Sequence, residues 1–287
     1  MMVAKSIGAG ISQIWTNKRL LVPFYLANLF GGLLIMLPFA GVLDDFVWKS
    51  QMKQKLGQAF DYDFLFELLH HSDSGLAGVQ GLILGVPLAY LLMAVFLSGG
   101  ALVVLARKEK YTPAAFWGGA AAYCGRFIRL TLMGLPVLAA FFCLRYLETL
   151  VQWVIFGADP YEYIIYWGAW IKMALGYFGL ILYGLIFDYA RIHLVLTDNR
   201  QARKSLWQGA RFAARHLRQT LALALVLLLT GWVILVVYNI FSNILTAPSW
   251  LVLVLLVIGQ QLYIISRMTL RLTTYSSEMT LYRRLLA

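Results

Sequence analysis

The sequence predicts an all-α integral membrane protein of about six transmembrane helices, and three observations carry that expectation. Of its 287 residues, 61% are hydrophobic and only 13% charged, where a soluble domain carries roughly 25% charged residues. With a mean hydropathy of +0.74, the chain has too few charges to cover a soluble surface, so lipid must solvate much of it. The apolar residues also gather into runs that approach the ~20 needed to cross ~30 Å of hydrocarbon. Lys and Arg, finally, collect in alternate connections between those runs. Helices follow because a spanning segment must satisfy its own backbone hydrogen bonds. No short strands of alternating polarity point to a barrel.

The first span is Leu20–Ala40, interrupted by Pro23, Asn28 and Pro38. Lys18 and Arg19 precede it, and no clear cleavage site follows, so it reads as uncleaved. Residues 41–80 form the one long loop, expected on the extracytoplasmic side. Gly81–Leu105 is the second span, closed by the basic RKEK of Arg107 to Lys110. The third runs from Ile128 through Leu144 and extends toward Phe156, the fourth from Ile164 to Phe187. The fifth is Leu221–Phe241, and the turn SNILTAPS leads to the sixth, Trp250–Ser266. Cys124 and Cys143 lie about 28 Å apart along a helix, too far for a disulfide.

Charge sets the orientation. With the N-terminus, the 2–3 and 4–5 connections and the C-terminus on one side, that side holds 19 of the 24 Lys/Arg and 4 of the 13 Asp/Glu. The positive-inside rule makes it cytoplasmic. Both termini are therefore expected on the cytoplasmic side.

An internal repeat organises the chain. AFWGGAAAYCGRFIRL from Ala115 and SLWQGARFAARHLRQT from Ser205 match at an offset of 90, pairing Trp117 with Trp207, Gly119 with Gly209 and Ala120 with Ala210. A fainter copy, SIGAGISQIWTNKRLL, starts at Ser6, with Gly10 in the same place and Arg19 aligned with Arg218. The reading is three helical hairpins, residues 6–106, 112–196 and 203–275, each preceded by a cytoplasmic interfacial amphipathic helix. In the third copy Arg203, Trp207, Arg211 and Arg215 recur every four residues, with Lys204 and Arg218 beside them. Leu206, Ala210, Ala213 and Leu217 occupy the other face. Such a helix lies flat with cations among anionic headgroups, each worth roughly 1 kcal/mol. Arg126 and Arg129 in the second copy join this set of candidate headgroup contacts. Topology determination alone would explain the same pattern.

Other polar groups are candidate sites. DYDFLFELLHH, Asp61 to His71, puts Asp63, Glu67, His70 and His71 near one helical face, but Phe64, Phe66, Leu68 and Leu69 interleave as in a helix resting on the membrane. No metal site is expected from it. Arg145, Glu148 and Lys172 lie in apolar stretches, where ions are costly and functional by default. Sixteen residues separate Arg145 from Arg129 and Lys172 from Asp188, which places both cations roughly 24 Å from the basic edge. An ion network of Arg145, Glu148 and Lys172, joined by Glu162, is expected there, with an anion or headgroup site as the alternative. Asp188 and Arg191, one turn apart, are expected to pair at the inner end. Gln260 and Gln261 suit interhelical hydrogen bonds. No nucleophile elbow, P-loop, zinc-protease or dinucleotide motif occurs, so neither an enzyme nor a cofactor is expected.

Two stretches, GGALVVLARKEKYTPAAFWGGAAAYCGRFIRLTL and DYARIHLVLTDNRQARKSLWQGARFAARHLRQTL, resemble bacterial six-span membrane proteins of the YciC type. They also resemble the membrane domain attached to some glycerophosphodiester phosphodiesterases. The resemblance runs in pattern from about Ser6 to Arg284 and implies the six-span layout with interfacial helices. It carries no activity, because stand-alone members have none established. The expected function is a non-enzymatic inner-membrane scaffold or accessory subunit contacting lipids and other membrane proteins. The alternative is a small transporter or lipid-translocating protein. No nucleic-acid partner is expected.

Overall fold

The computed structural model describes residues 2–47, 75–107, 110–157, 160–245 and 249–286. Among them all regular structure is helical. The helices are α1 (Met2–Thr16), α2 (Leu21–Val47), α3 (Gly75–Arg107), α4 (Pro113–Phe142), α5 (Tyr146–Phe156), α6 (Glu162–Leu196), α7 (Ala202–Arg215), α8 (Leu217–Ile244) and α9 (Trp250–Leu286). Tight single turns at Lys18–Leu20 and Cys143–Arg145 lead into α2 and α5. Six helical stretches are long and apolar enough to cross a membrane: Lys18–Pro38, Gly85–Arg107, Pro113–Phe156, Glu162–Leu196, Leu217–Ile244 and Trp250–Leu286. Pro38, Pro87 and Pro136 sit inside these helices, as bilayer-spanning helices tolerate.

Local chemistry fixes several ends. Thr112 caps α4, its hydroxyl accepting from the Ala115 amide, and Pro113 fills the first position, where no amide partner is needed. Gly157 ends α5 with φ +79, a conformation that costs glycine little.

Several boundaries differ from those the sequence suggests. Helix α2 continues to Val47 and α3 begins at Gly75, so both invade the 41–80 loop. The Asp63–His71 segment lies outside the described residues. The largest difference is α9, which continues for twenty residues past Ser266 to Leu286. At 1.5 Å per residue its 37 residues extend about 55 Å, well beyond a 30 Å hydrocarbon layer.

The chain divides into two compact units. The first holds Met1–Asn17, Ser98–Thr230 and Arg271–Ala287; the second holds Lys18–Leu97 and Gly231–Leu270.

The first unit contains the densest packing. Leu102, Leu105, Phe116, Phe127, Leu130, Tyr189, Ile192, Leu194, Leu223 and Leu272 are all fully buried there. The three glycines that the sequence puts in register are contact points within it. A Cβ on Gly10 of α1 would strike Ser277 of α9, one on Gly119 would lie 2.8 Å from Val103 of α3, and one on Gly209 would lie 2.6 Å from the Ala190 amide of α6. Each short amphipathic stretch thus lays its glycine on the late part of a long helix, and α1 takes its partner from the far end of the chain. Gln13 strengthens this junction, donating to the Leu105 carbonyl at 3.0 Å and accepting from the Ser276 hydroxyl at 2.7 Å. Asn17 accepts from the Tyr111 amide at 2.8 Å.

The second unit is tied by polar groups in apolar surroundings. Tyr90 of α3 donates to Asn28 of α2 at 2.9 Å, and Tyr25 of α2 donates to Gln261 of α9 at 2.8 Å. Asn28 also donates to its own helix at the Phe24 carbonyl. The two tyrosine bonds are interhelical amide contacts of the kind expected for polar residues in apolar surroundings.

Candidate functional site: an apolar groove with a basic lip

Helix α7 has cations on one side and small residues on the other. Its protein-facing side is Ala202, Ser205, Gly209, Phe212 and Ala213, rotated slightly from the Leu206–Ala210–Ala213–Leu217 stripe that the sequence suggests. The small side chains let α7 approach α6 at backbone distance, so part of the face expected in lipid is covered by protein. Leu206 and Ala210 remain at the edge of that contact and line a cavity.

This cavity, of about 1160 Å³, lies between α4, α6 and α7. Its floor on α4 is Met133, Val137 and Phe141, with Ile186 from α6 opposite. Its lip carries Arg129, Arg200, Arg203 and Lys204, with Trp207 beside them. Arg129, Met133, Val137 and Phe141 follow one another every four residues and so share one helical face. From Arg129 to Phe141 is about 18 Å along the helix, close to the ~15 Å of half the hydrocarbon core. Trp207 is 69% exposed, and an amphipathic ring of this kind suits a headgroup boundary.

The expected headgroup contacts separate into three groups. Arg129, Arg203 and Lys204 converge on the lip. Arg211, Arg215 and Arg218 are exposed and do not line the groove. Arg126 is diverted: it pairs with Asp198 at 2.6 Å, and Tyr123 donates to the same carboxylate oxygen at 2.9 Å. Asp198, in a left-handed turn at φ +45, thereby ties the α6–α7 connection to α4. Its hydrogen bond from Arg126, followed by that from Tyr123, holds its carboxyl below the ordinary value.

At the inner end Asp188 and Arg191 pair at 3.4 Å, with Arg191 over the Phe187 ring at 4.2 Å. The sequence reading missed their neighbour Glu278. This α9 residue is 3% exposed and lies within electrostatic reach of both Asp188 and Arg191. Glu278 Oε2 and the Tyr189 hydroxyl have no hydrogen-bond partner among the described residues. His193 and Tyr282 hydrogen-bond to each other at 2.8 Å nearby, with the Tyr282 ring 6.2 Å from that of Tyr189. Glu278 was hidden because it follows Ser276 and Ser277 in a polar stretch that reads as a tail.

The expected network of Arg145, Glu148, Lys172 and Glu162 comes together only in part. Lys172 donates to Thr149 at 3.2 Å, and Thr149 donates to Glu148 at 3.3 Å, so a hydroxyl bridges cation and carboxylate. Arg145 contacts rings, and Glu162 stands exposed in the first turn of α6, where a negative charge suits the helix dipole.

Comparison with protein-family models, with curated proteins and with solved structures finds no match. The chemistry of the sites must therefore carry any functional reading. Among the described residues no group of three His, Cys, Asp or Glu side chains could hold a metal ion.

Proposed function

We propose that this chain is a non-enzymatic scaffold or accessory subunit of a bacterial inner membrane that seats an anionic phospholipid in the α4–α6–α7 groove. In this reading the basic side and both termini face the cytoplasm, the spans form three hairpins, and the resemblance to YciC-type proteins reflects a shared layout. The observation that carries it is the join of two chemistries in one cavity: an apolar wall of α4 and four cations beside it. A free polar metabolite would find little to bond on the floor, and a neutral lipid would leave the lip unmatched. Arg and Lys together suit a phosphodiester, Arg through its planar fork and Lys as a mobile point charge. The partner proteins of such a scaffold belong to the same proposal.

Transport is the weaker reading. A polar path would draw on Asn28, Gln260, Gln261 and Lys172; Asn28 and Gln261 are engaged with tyrosines of neighbouring helices, Lys172 with Thr149, and Gln260 is exposed.

The test is to purify wild type and Arg203→Gln/Lys204→Gln from the same membranes and count retained phosphatidylglycerol by native mass spectrometry. Two surface cations at ~1 kcal/mol each correspond to roughly thirtyfold weaker retention. Arg211→Gln/Arg215→Gln, which removes the same charge off the groove, should retain the lipid. Equal loss in both double variants would reduce the lip to a general electrostatic effect.

A further inference from the structure

A second cavity, about 470 Å³, lies where the turn between α4 and α5 meets α6, and it is lined by Arg145 and Lys172 with Phe142, Met173 and Tyr177. Two cations in one cavity, both from otherwise apolar stretches, call for a counter-charge. Their closeness is fixed by a shared ring: Arg145 sits 5.6 Å and Lys172 5.3 Å from the centroid of Tyr146. Arg145 also lies over Phe142 at 5.0 Å. The rings offer each cation a partial partner without neutralising it.

Glu148 pairs directly with neither cation and reaches Lys172 only through the Thr149 hydroxyl. It is 8% exposed, and one carboxylate oxygen lies over Gly168, where that residue's missing side chain leaves room. That oxygen has no hydrogen-bond partner among the described residues, and the other accepts from Thr149. Neither Arg145 nor Lys172 forms an ion pair among the described residues, and Arg145 Nε is buried without a partner.

We infer that Arg145 and Lys172 form a binding site for a phosphate anion, carried either by a lipid phosphodiester or by free inorganic phosphate. The guanidinium fork and the ammonium supply directional donors on two elements, as phosphate recognition requires. The cavity is within the ordinary range for a small ligand. Both cations sit roughly 24 Å along their helices from Arg129 and Asp188, a separation that places them near the opposite headgroup layer. This site is distinct from the groove, which uses other cations and another face of α4.

The full chain would be reconstituted in nanodiscs of phosphatidylcholine, with and without phosphatidylglycerol. Bound lipid would be counted by native mass spectrometry, and inorganic phosphate titrated by calorimetry into the discs lacking phosphatidylglycerol. Arg145→Gln/Lys172→Gln should weaken binding of the recognised probe roughly tenfold or more. Lys172→Arg should retain it. Loss of a bound phosphatidylglycerol assigns the site to lipid, and loss of a phosphate isotherm assigns it to the free anion. If wild type and the double variant bind both probes alike, the site does not exist. Should the double variant misfold, Lys172→Gln against Lys172→Arg decides: loss in the first alone supports the site, and equal behaviour in both overturns it. Lower thermal stability with unchanged anion binding would also overturn it, making the cations structural.

Discussion

The two ends of helix α6 are built from similar residues and meet different surroundings. Near its start Tyr163, Ile165, Trp167, Trp170 and Ile171 are more than half exposed, while near its end Leu185, Phe187, Tyr189, Ile192 and Leu194 are buried by protein. Apolar surface left open in the first region is covered by lipid once the helix is in a bilayer, and in the second it is covered by neighbouring helices. Composition alone does not distinguish these fates. At the buried end the small residue on the neighbour, Gly209 on α7 against Ala190, permits backbone approach. Polar side chains follow the same division: Ser6, Ser205, Thr220, Ser276 and Ser277 are all buried in the densely packed region.

The sharpest test of that contrast uses two leucines on α8. Leu223 is fully buried, whereas Leu229 is 59% exposed. Leu223→Ala should cost about 2–4 kcal/mol through lost burial and a residual cavity. Leu229→Ala should fall within about 0.5 kcal/mol. Denaturant unfolding in mild detergent measures both, and equal losses would erase the distinction between the two regions.

A smaller effect separates adjacent glycines of α4. Gly118 has open space where a side chain would go, while Gly119 abuts Val103. Gly119→Ala should destabilise by about 1–3 kcal/mol through overpacking. Gly118→Ala should be neutral or stabilising by roughly 0.5 kcal/mol, since alanine favours helix. Stabilisation in both would mean that the close approach is not needed.

The least effect belongs to the exposed tie at Asp198. Its carboxyl titrates lower in the folded chain than in the unfolded one. The stability it contributes is therefore present above the unfolded carboxylate pKa of about 3.9 and fades as pH falls through the lower folded value. Asp198→Asn should remove a small part of the acid sensitivity between those values and leave neutral-pH behaviour almost unchanged, because surface ion pairs are weak. A melting-temperature series against pH would show it.

Much of the spanning architecture could be read from hydropathy, because six long apolar runs have few alternatives. The alignment of Gly10, Gly119 and Gly209 was visible too, and each proves to be a contact point. What the sequence concealed lies past the apolar runs. Residues 267–286 are rich in Ser, Thr, Tyr and Arg, so by hydropathy they look like a solvated tail. They form the last five turns of α9, and Tyr275, Ser276, Ser277, Glu278 and Met279 are buried. Tertiary packing, which no local pattern reports, made them core. The groove was partly legible: the four-residue ladder from Arg129 to Phe141 is in the sequence, but only the position of α7 turns that ladder into a floor. Arg126 shows the converse, since a partner 72 residues away takes a cation that local spacing offers to lipid.

The junction of α1 with α9 has a consequence for biosynthesis. Gln13 and Ser276, which hydrogen-bond each other, are separated by 263 residues. At ribosomal rates of about 5–20 residues per second, the first must wait roughly 13–50 seconds for the second to emerge. Throughout that interval the stripe of α1 at Ser6 and Gly10, which meets Arg284 and Ser277 in the folded chain, stays uncovered by them. During synthesis α1 is therefore a helix in need of a temporary companion, whether the membrane surface or a chaperone. A ribosome stalled before α9 would leave that stripe open for degradation machinery to recognise.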